Sequence, residues 1–337
     1  MAAPFLKRKF GRLLQSRQKR KASGFTLIEL LVVILIAGGI ISGLMYLVVE
    51  LLGVDQRESS RTETQREMQL AMDYMASELR EAVYVYNGEC FAGRSATTPP
   101  TDCPRLINYL PQALENNNNI PVLAFWKQQP IPEPVKARCA ANATTAINNG
   151  DPCTSASSYA LIVYYINRDN PNNIWSRNAR IKRYALTEFQ ADGTRVQGYV
   201  RPDEVSVKFD TWPFGNSPTT NRVENLQATR PTDTSNILVD FLDNRVGING
   251  NAATRTVCPT GDYNISPADT AFTQLGAPQI RSFYACIDNG ATSGRNREVI
   301  LYVRGNAQGR PGIRGANTFV PTLETRVLVR GVLGRNP

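Results

Sequence analysis

The chain contains no histidine in its 337 residues. That excludes Ser-His-Asp and Cys-His catalysis, zinc sites with imidazole ligands and histidine-based pH sensing. There is no GxSxG turn, no Walker A loop and no CxxC pair, so the signatures of nucleophile-elbow hydrolysis, P-loop phosphate binding and thioredoxin-type exchange are missing. Carboxylate-only catalysis stays open, because scattered Asp and Glu leave no local signature, but no constellation supports it. The expectation is a protein that is not an enzyme, without a cofactor or metal site. The run NRDNPNN (167–173) is only loosely like a calcium loop and lacks the regular ligand spacing.

Acidic residues are missing from the first 24 positions, where Lys7, Arg8, Lys9, Arg12, Arg17, Lys19, Arg20 and Lys21 all fall. The formal net charge is +9 from 38 basic and 29 acidic residues; without those eight the remainder is 30 against 29, or +1. The basic character therefore belongs to the leader, and a broad nucleic-acid face is not expected. A local patch involving Arg177, Arg180, Lys182 and Arg183 stays open. Placed directly before an apolar run, the basic cluster is a topology signal that fixes membrane orientation.

Long apolar runs are absent from most of the chain, with one exception. Leu30 to Val49, LLVVILIAGGIISGLMYLVV, is twenty residues without a charge. As a helix at about 1.5 Å per residue it covers the hydrocarbon core of a bilayer. A secretory signal peptide would have a shorter core followed by small residues at a cut site; here Gly24 precedes the run. Gly38, Gly39, Ser42 and Gly43 give the span a small-residue face, which suits close helix approach, local bending or plain tolerance of glycine. The segment VDQRESSRTETQREMQLAMDYMASELREAVYVY then lacks both Gly and Pro. Met68, Met72, Met75, Leu79, Val83 and Tyr86 recur at helical spacing, with Arg66, Glu67, Asp73, Glu78 and Arg80 on other faces. One helix from about Phe25 to Tyr86 is predicted, stopping at Asn87-Gly88.

Beyond it the texture changes to turn residues and short β-type runs. Strands are predicted over 122–126, 159–167, 180–189, 196–200, 204–212, 279–287, 298–305 and 325–333, with QADGTR as a hairpin turn. The fold class is α+β: a long N-terminal helix, membrane span plus amphipathic half, packed on a mainly antiparallel β-sheet head domain. The six cysteines, Cys90, Cys103, Cys139, Cys153, Cys258 and Cys286, all follow the span. An even count there suggests disulfides in an oxidising compartment. Pairing of sequence neighbours, Cys90–Cys103, Cys139–Cys153 and Cys258–Cys286, is favoured because the first two loops are rich in Pro, Asn, Thr and Gly and need stapling. Other pairings stay open. Trp126, Trp175 and Trp212 read as core residues, or as sugar-stacking platforms in an anchored glycan- or surface-binding module. Asn142 and Asn264 stand in N-x-[ST] contexts short enough to arise by chance.

The run Gly24-Phe25-Thr26-Leu27-Ile28-Glu29, with its basic leader, the span and the amphipathic extension, resembles the processing signal of type IV pilins and type II secretion pseudopilins. The resemblance covers residues 7–87. It implies that a prepilin peptidase cuts after Gly24 and that Phe25, the new N-terminus, is N-methylated. It also gives Glu29 a role, since a carboxylate in lipid is costly unless paired: assembly, by pairing with the terminal amine of a neighbouring subunit. The implied layout is a cleaved leader (1–24), a transmembrane assembly helix (25–53), its amphipathic half (54–87) and an extracytoplasmic, disulfide-containing β-rich head (88–337). The implied location is the inner membrane, single-pass, with a cytoplasmic N-terminus and a periplasmic or extracellular head, then a filament. The implied partners are the peptidase, other pilins or pseudopilins and an inner-membrane assembly platform. QREMQLAMDYMASELREAV is similar to the large minor subunits, the pilin W and J-type pseudopilin class. The tail ANTFVPTLETRVLVRGVL, with the six cysteines, is similar to cyanobacterial pseudopilins of hormogonium polysaccharide secretion. The expected function is a structural filament subunit supporting secretion or motility.

Overall fold

Helix α1 runs from Leu27 to Arg80 and stops earlier than its periodicity suggests. The computed structural model describes residues 24–93, 99–202, 207–245, 258–260, 263–288, 298–313 and 319–330. The leader expected at 1–24 lies outside them except for Gly24. The chain divides into two compact units, Met1–Val54 and Asp55–Pro337. In the first, α1 is apolar on every side, and Leu27, Ile34, Ile40, Leu44 and Val49 are all exposed.

In the second unit α1 is amphipathic. Met68, Ala71, Met72, Met75, Ala76 and Leu79 are buried in one continuous core. The helix stops at Arg80 because Val83, Tyr84 and Val85, which follow Ala82, are β-branched or aromatic and suit a pleated surface better than another turn. They form β1 (Ala82–Val85), antiparallel to β2 (Asn119–Pro130), with Ala82 opposite Lys127 and Val85 opposite Phe125. Val83 and Tyr86 thus belong to the sheet region and not to the helical stripe. Asn87 is left to accept a hydrogen bond from the Glu89 amide in the following 3₁₀ turn.

Antiparallel sheets make up the rest, giving the α+β layout. The larger sheet has the order β1-β2-β3-β4-β7, with β3 Ser157–Asn167, β4 Ala179–Leu186 and β7 Asn236–Leu242. Short helices α2 (Glu133–Ala141) and α3 (Ala143–Asn148) link β2 to β3. A small ribbon of β5 (Phe214–Asn216) and β6 (Val223–Asn225) precedes β7. The second sheet has the order β11-β10-β9-β8, built from β8 (Tyr263–Ser266), β9 (Phe283–Asp288), β10 (Glu298–Arg304) and β11 (Thr322–Leu328), with α4 (Asp269–Leu275) between β8 and β9.

Strand β3 is buried on both faces, and its alternation sorts two cores. Ala160, Ile162, Tyr164 and Ile166 join the α1 stripe and the second sheet. Leu161, Val163 and Tyr165 join Trp126, Trp212 and the Cys90–Cys103 region on the other side. Two predicted strands fail. Residues 196–200 are not a strand: the QADGTR turn closes with only one bridge, Phe189 to Arg195, because Gly198 then takes a positive φ (80°) against the backbone of Thr229 and Pro231. Of 204–212, residues 207–208 are irregular and 209–212 form a turn, with Val207 and Trp212 buried; 204–206 lie outside the described residues. Strands β5, β6, β7 and β8 were not expected from the sequence.

Candidate assembly segment and its anchorage

Gly24, Phe25 and Thr26 precede the first helical residue and carry no regular structure. Phe25 is 74% exposed and nothing lies within 4 Å of where a Gly24 Cβ would sit. The Gly24–Phe25 peptide bond is therefore accessible in open chain, one step ahead of a helix that would otherwise shield it. Thr26 starts that helix: its carbonyl accepts from the amides of Glu29 (3.0 Å) and Leu30 (3.2 Å), and its hydroxyl lies 3.4 Å from the Glu29 amide. Thr-x-x-Glu at a helix start is a capping-box sequence, and a carboxylate in the first turn faces the positive end of the helix dipole. Glu29 stands one helical turn from the amine that cutting after Gly24 would create.

From Leu27 to Val54 the large apolar side chains are 46–84% exposed. A continuous apolar surface of this extent needs lipid or other helices to cover it. On its small-residue face Ser42 donates to the Gly38 carbonyl at 2.7 Å, which removes a free hydroxyl from that surface. Among the described residues one N-terminal helix, of mean hydropathy 2.6 over its best window, is long and apolar enough to cross a membrane, consistent with a single-pass membrane-anchored protein.

The outer half of α1 is tied down at two levels. Near its end, Glu78 is 6% exposed, although the helical pattern puts it among the polar faces. Its carboxylate pairs with Arg183 through two contacts of 2.8 Å, with Lys127 at 2.9 Å, and accepts the Tyr164 hydroxyl. Those three residues sit on β4, β2 and β3, so one helical carboxylate meets three adjacent strands. Burial alone would raise its pKa, but hydrogen bonds from Arg183, Tyr164 and Lys127 outweigh that and hold it at about 2. Burial pushes the Tyr164 hydroxyl well up, and the neighbouring Glu78 charge adds to the shift.

Two turns and more towards the N-terminus, the loop 307–313 crosses the same helix. Arg310 pairs with Glu63 at 2.8 Å and with Glu67, and its guanidinium lies 4.1 Å from the Phe241 ring centroid. Ser60 donates to the Pro311 carbonyl at 2.7 Å. Gly312 has φ +74°, and a Cβ there would lie 2.9 Å from the Arg57 amide, so only glycine lets the loop lie this close.

The other sequence-derived candidates separate clearly. Cys90–Cys103, Cys139–Cys153 and Cys258–Cys286 are disulfides, with Cα separations of 5.4, 5.4 and 5.6 Å. Trp126 and Trp212 are fully buried core residues, whereas Trp175 is 43% exposed. The basic patch around Arg180 does not form: Arg180 is fully buried, 3.7 Å from Asp240 and bonded to the carbonyls of Asp169 and Ser176, and Arg183 is taken by Glu78. In the NRDNPNN run, the Asp169 carboxylate accepts from Asn118 (2.6 Å) and Asn167 (3.3 Å), and among the described residues no group of His, Cys, Asp and Glu is placed to hold a metal. Asn142 caps α3 by accepting from the Thr145 amide. No curated protein and no solved structure matches the chain. Residues 19–45, from the last basic residues of the leader through Gly24, Phe25 and Glu29 into the span, match the prokaryotic N-terminal methylation motif, and the chain carries that motif where the open Gly24–Phe25 bond meets the capped start of α1.

Proposed function

We propose that this protein is a minor pilin or pseudopilin, a structural subunit of a type IV pilus-like or type II secretion-like filament. The observation that carries the reading is the N-terminal methylation motif at residues 19–45, in which an acidic residue lies at the fifth position after Gly24 and is followed by a single apolar span. In this reading the basic leader holds the N-terminus in the cytoplasm, a prepilin peptidase cuts after Gly24, and Phe25 is methylated. Glu29 of the incoming subunit then pairs with the amine of a neighbour, and the exposed apolar surface of α1 exchanges lipid for other subunits' helices. The head, with its disulfides, faces the oxidising side of the membrane. The role is structural and not catalytic, and the filament supports export of polysaccharide or protein, or surface motility.

N-terminal mass spectrometry of the protein, from cells with and without the prepilin peptidase, tests this directly. The expected mature chain starts at methylated Phe25 only when the peptidase is present, and Gly24→Val keeps residues 1–24 attached. A Gly24→Val chain that is still fully processed, or a wild-type chain that keeps its leader in both strains, would overturn the assignment.

A further inference from the structure

A groove of about 650 Å³ lies between the outer half of α1 and β7, the edge strand of the larger sheet. It lies wholly within the second unit, and nothing in the assembly reading uses it. Leu70 and Tyr74, one turn apart on α1, are 59% and 45% exposed along it. Trp175 also lines it, with Leu238 and Phe241 from the strand side.

Trp175 is held in place by its loop. The Asn170 side chain accepts from the Trp175 amide (3.2 Å) and donates to the Trp175 carbonyl (2.9 Å). The next residue, Ser176, gives both its amide (2.8 Å) and its hydroxyl (2.7 Å) to Asp240. The other two tryptophans are fully buried. These bonds order the backbone that carries Trp175, so a half-exposed large aromatic is presented from a fixed point on the loop.

Size and charge narrow the occupant. Eleven residues line the groove, whereas a standard protein interface takes about 20–30 residues a side. Its volume falls in the small-ligand range of about 300–1,000 Å³. The charged residues that line the groove are Glu67, Asp240 and Arg310, two negative against one positive, which disfavours an anion. A wholly apolar guest would strip water from the part-exposed Glu67 carboxylate without replacing its hydrogen bonds. A guest with both C–H faces and hydroxyl donors meets both demands.

We propose that this groove binds a neutral saccharide, one ring resting against Trp175 and Tyr74 while a hydroxyl donates to the part-exposed carboxylate of Glu67. The full-length chain in phosphatidylcholine nanodiscs, free of glycoside detergents, is titrated with a panel of neutral oligosaccharides: gluco-, manno-, galacto- and N-acetylglucosamine-based. Because only Trp175 is open to solvent, acrylamide quenching of tryptophan emission isolates the site. At least one sugar should protect that emission saturably. Calorimetry with the same sugar should show binding weakened roughly five- to tenfold in Trp175→Ala and in Tyr74→Ala, with buried-tryptophan emission unchanged to verify folding. No protection by any member of the panel would overturn the proposal. So would binding that survives both substitutions, or quenching protection that follows protein concentration with no sugar present, which would make the groove a face between copies.

Discussion

Replacing Glu78 by glutamine tests whether the outer half of α1 is pinned to the sheet electrostatically. The carboxyl has a pKa of about 2 in the fold against 4.5 when free. That gap corresponds to about 3 kcal/mol. Because the folded pKa is the lower one, the contribution is complete above about pH 4.5 and is lost as pH falls towards 2. At pH 3 about half should remain, roughly 1.5 kcal/mol. A protonated glutamate and a glutamine are nearly the same shape and equally neutral, so the two proteins should converge in acid. Guanidinium unfolding of the full chain in nanodiscs, followed by emission of buried Trp126 and Trp212, should find Glu78→Gln about 3 kcal/mol less stable at pH 7. The difference should shrink to about half that at pH 3. A gap that stays constant from pH 7 to pH 3, or no gap at pH 7, would refute the electrostatic account and leave the Met68–Leu79 stripe as the grip.

Other expectations follow from the same geometry. Gly88→Ala would place a Cβ 2.4 Å from the Ile265 carbonyl oxygen and 2.6 Å from the Ser266 Cα, backbone that cannot swing away, and should cost about 2–3 kcal/mol in denaturant unfolding. Gly276→Ala, with φ +60° and open space around it, should lose only about 1 kcal/mol. Arg310→Lys keeps the charge but loses the fork that reaches Glu63, Glu67 and the Phe241 face; since both carboxylates are partly exposed, roughly 1 kcal/mol is expected, with faster amide exchange over residues 56–67. Under graded dithiothreitol, Cys139–Cys153, whose two residues are partly exposed, should open before Cys90–Cys103 and Cys258–Cys286, in which Cys103 and Cys286 are fully buried; peptide mapping of alkylated thiols gives the order.

The helix and its two characters were readable because a charge-free run and a 3.6-residue stripe are local, strongly periodic signals. The end of α1 was not. Val83 and Tyr86 fit the helical spacing of Met75 and Leu79, and only the pairing of β1 with β2 shows that sheet contacts won at Ala82. Glu78 was read as surface because single-sequence periodicity assigns every charge to the outside; its partners come from three strands 49 to 105 positions away. The same long-range pairing explains why Arg180 and Arg183 looked free. Strand β7 could have been found, since NILVDFL is a short apolar run between polar turns. The segment 196–200 misled because VQGYV has strand composition, while its glycine takes a φ that a regular strand cannot use. Trp175 could be singled out by residue type alone, but the groove beside it could not, because its two sides meet only through the fold.

All three disulfides lie after residue 88, and α1 contains no cysteine. The covalent crosslinks therefore stiffen loops, α2 and β9 but never reach α1. If tension is applied along α1, the backbone passes it into β1 at residues 80–82, and along the rest of the outer helix the described joints are noncovalent: the methionine stripe, the Glu78 cluster and the Arg310 clasp. Such a linkage has a yield force set by side-chain contacts and insensitive to reductant. Two of its joints are ionic, so protonation and salt, not thiol chemistry, should tune how firmly the β-rich body holds its own shaft.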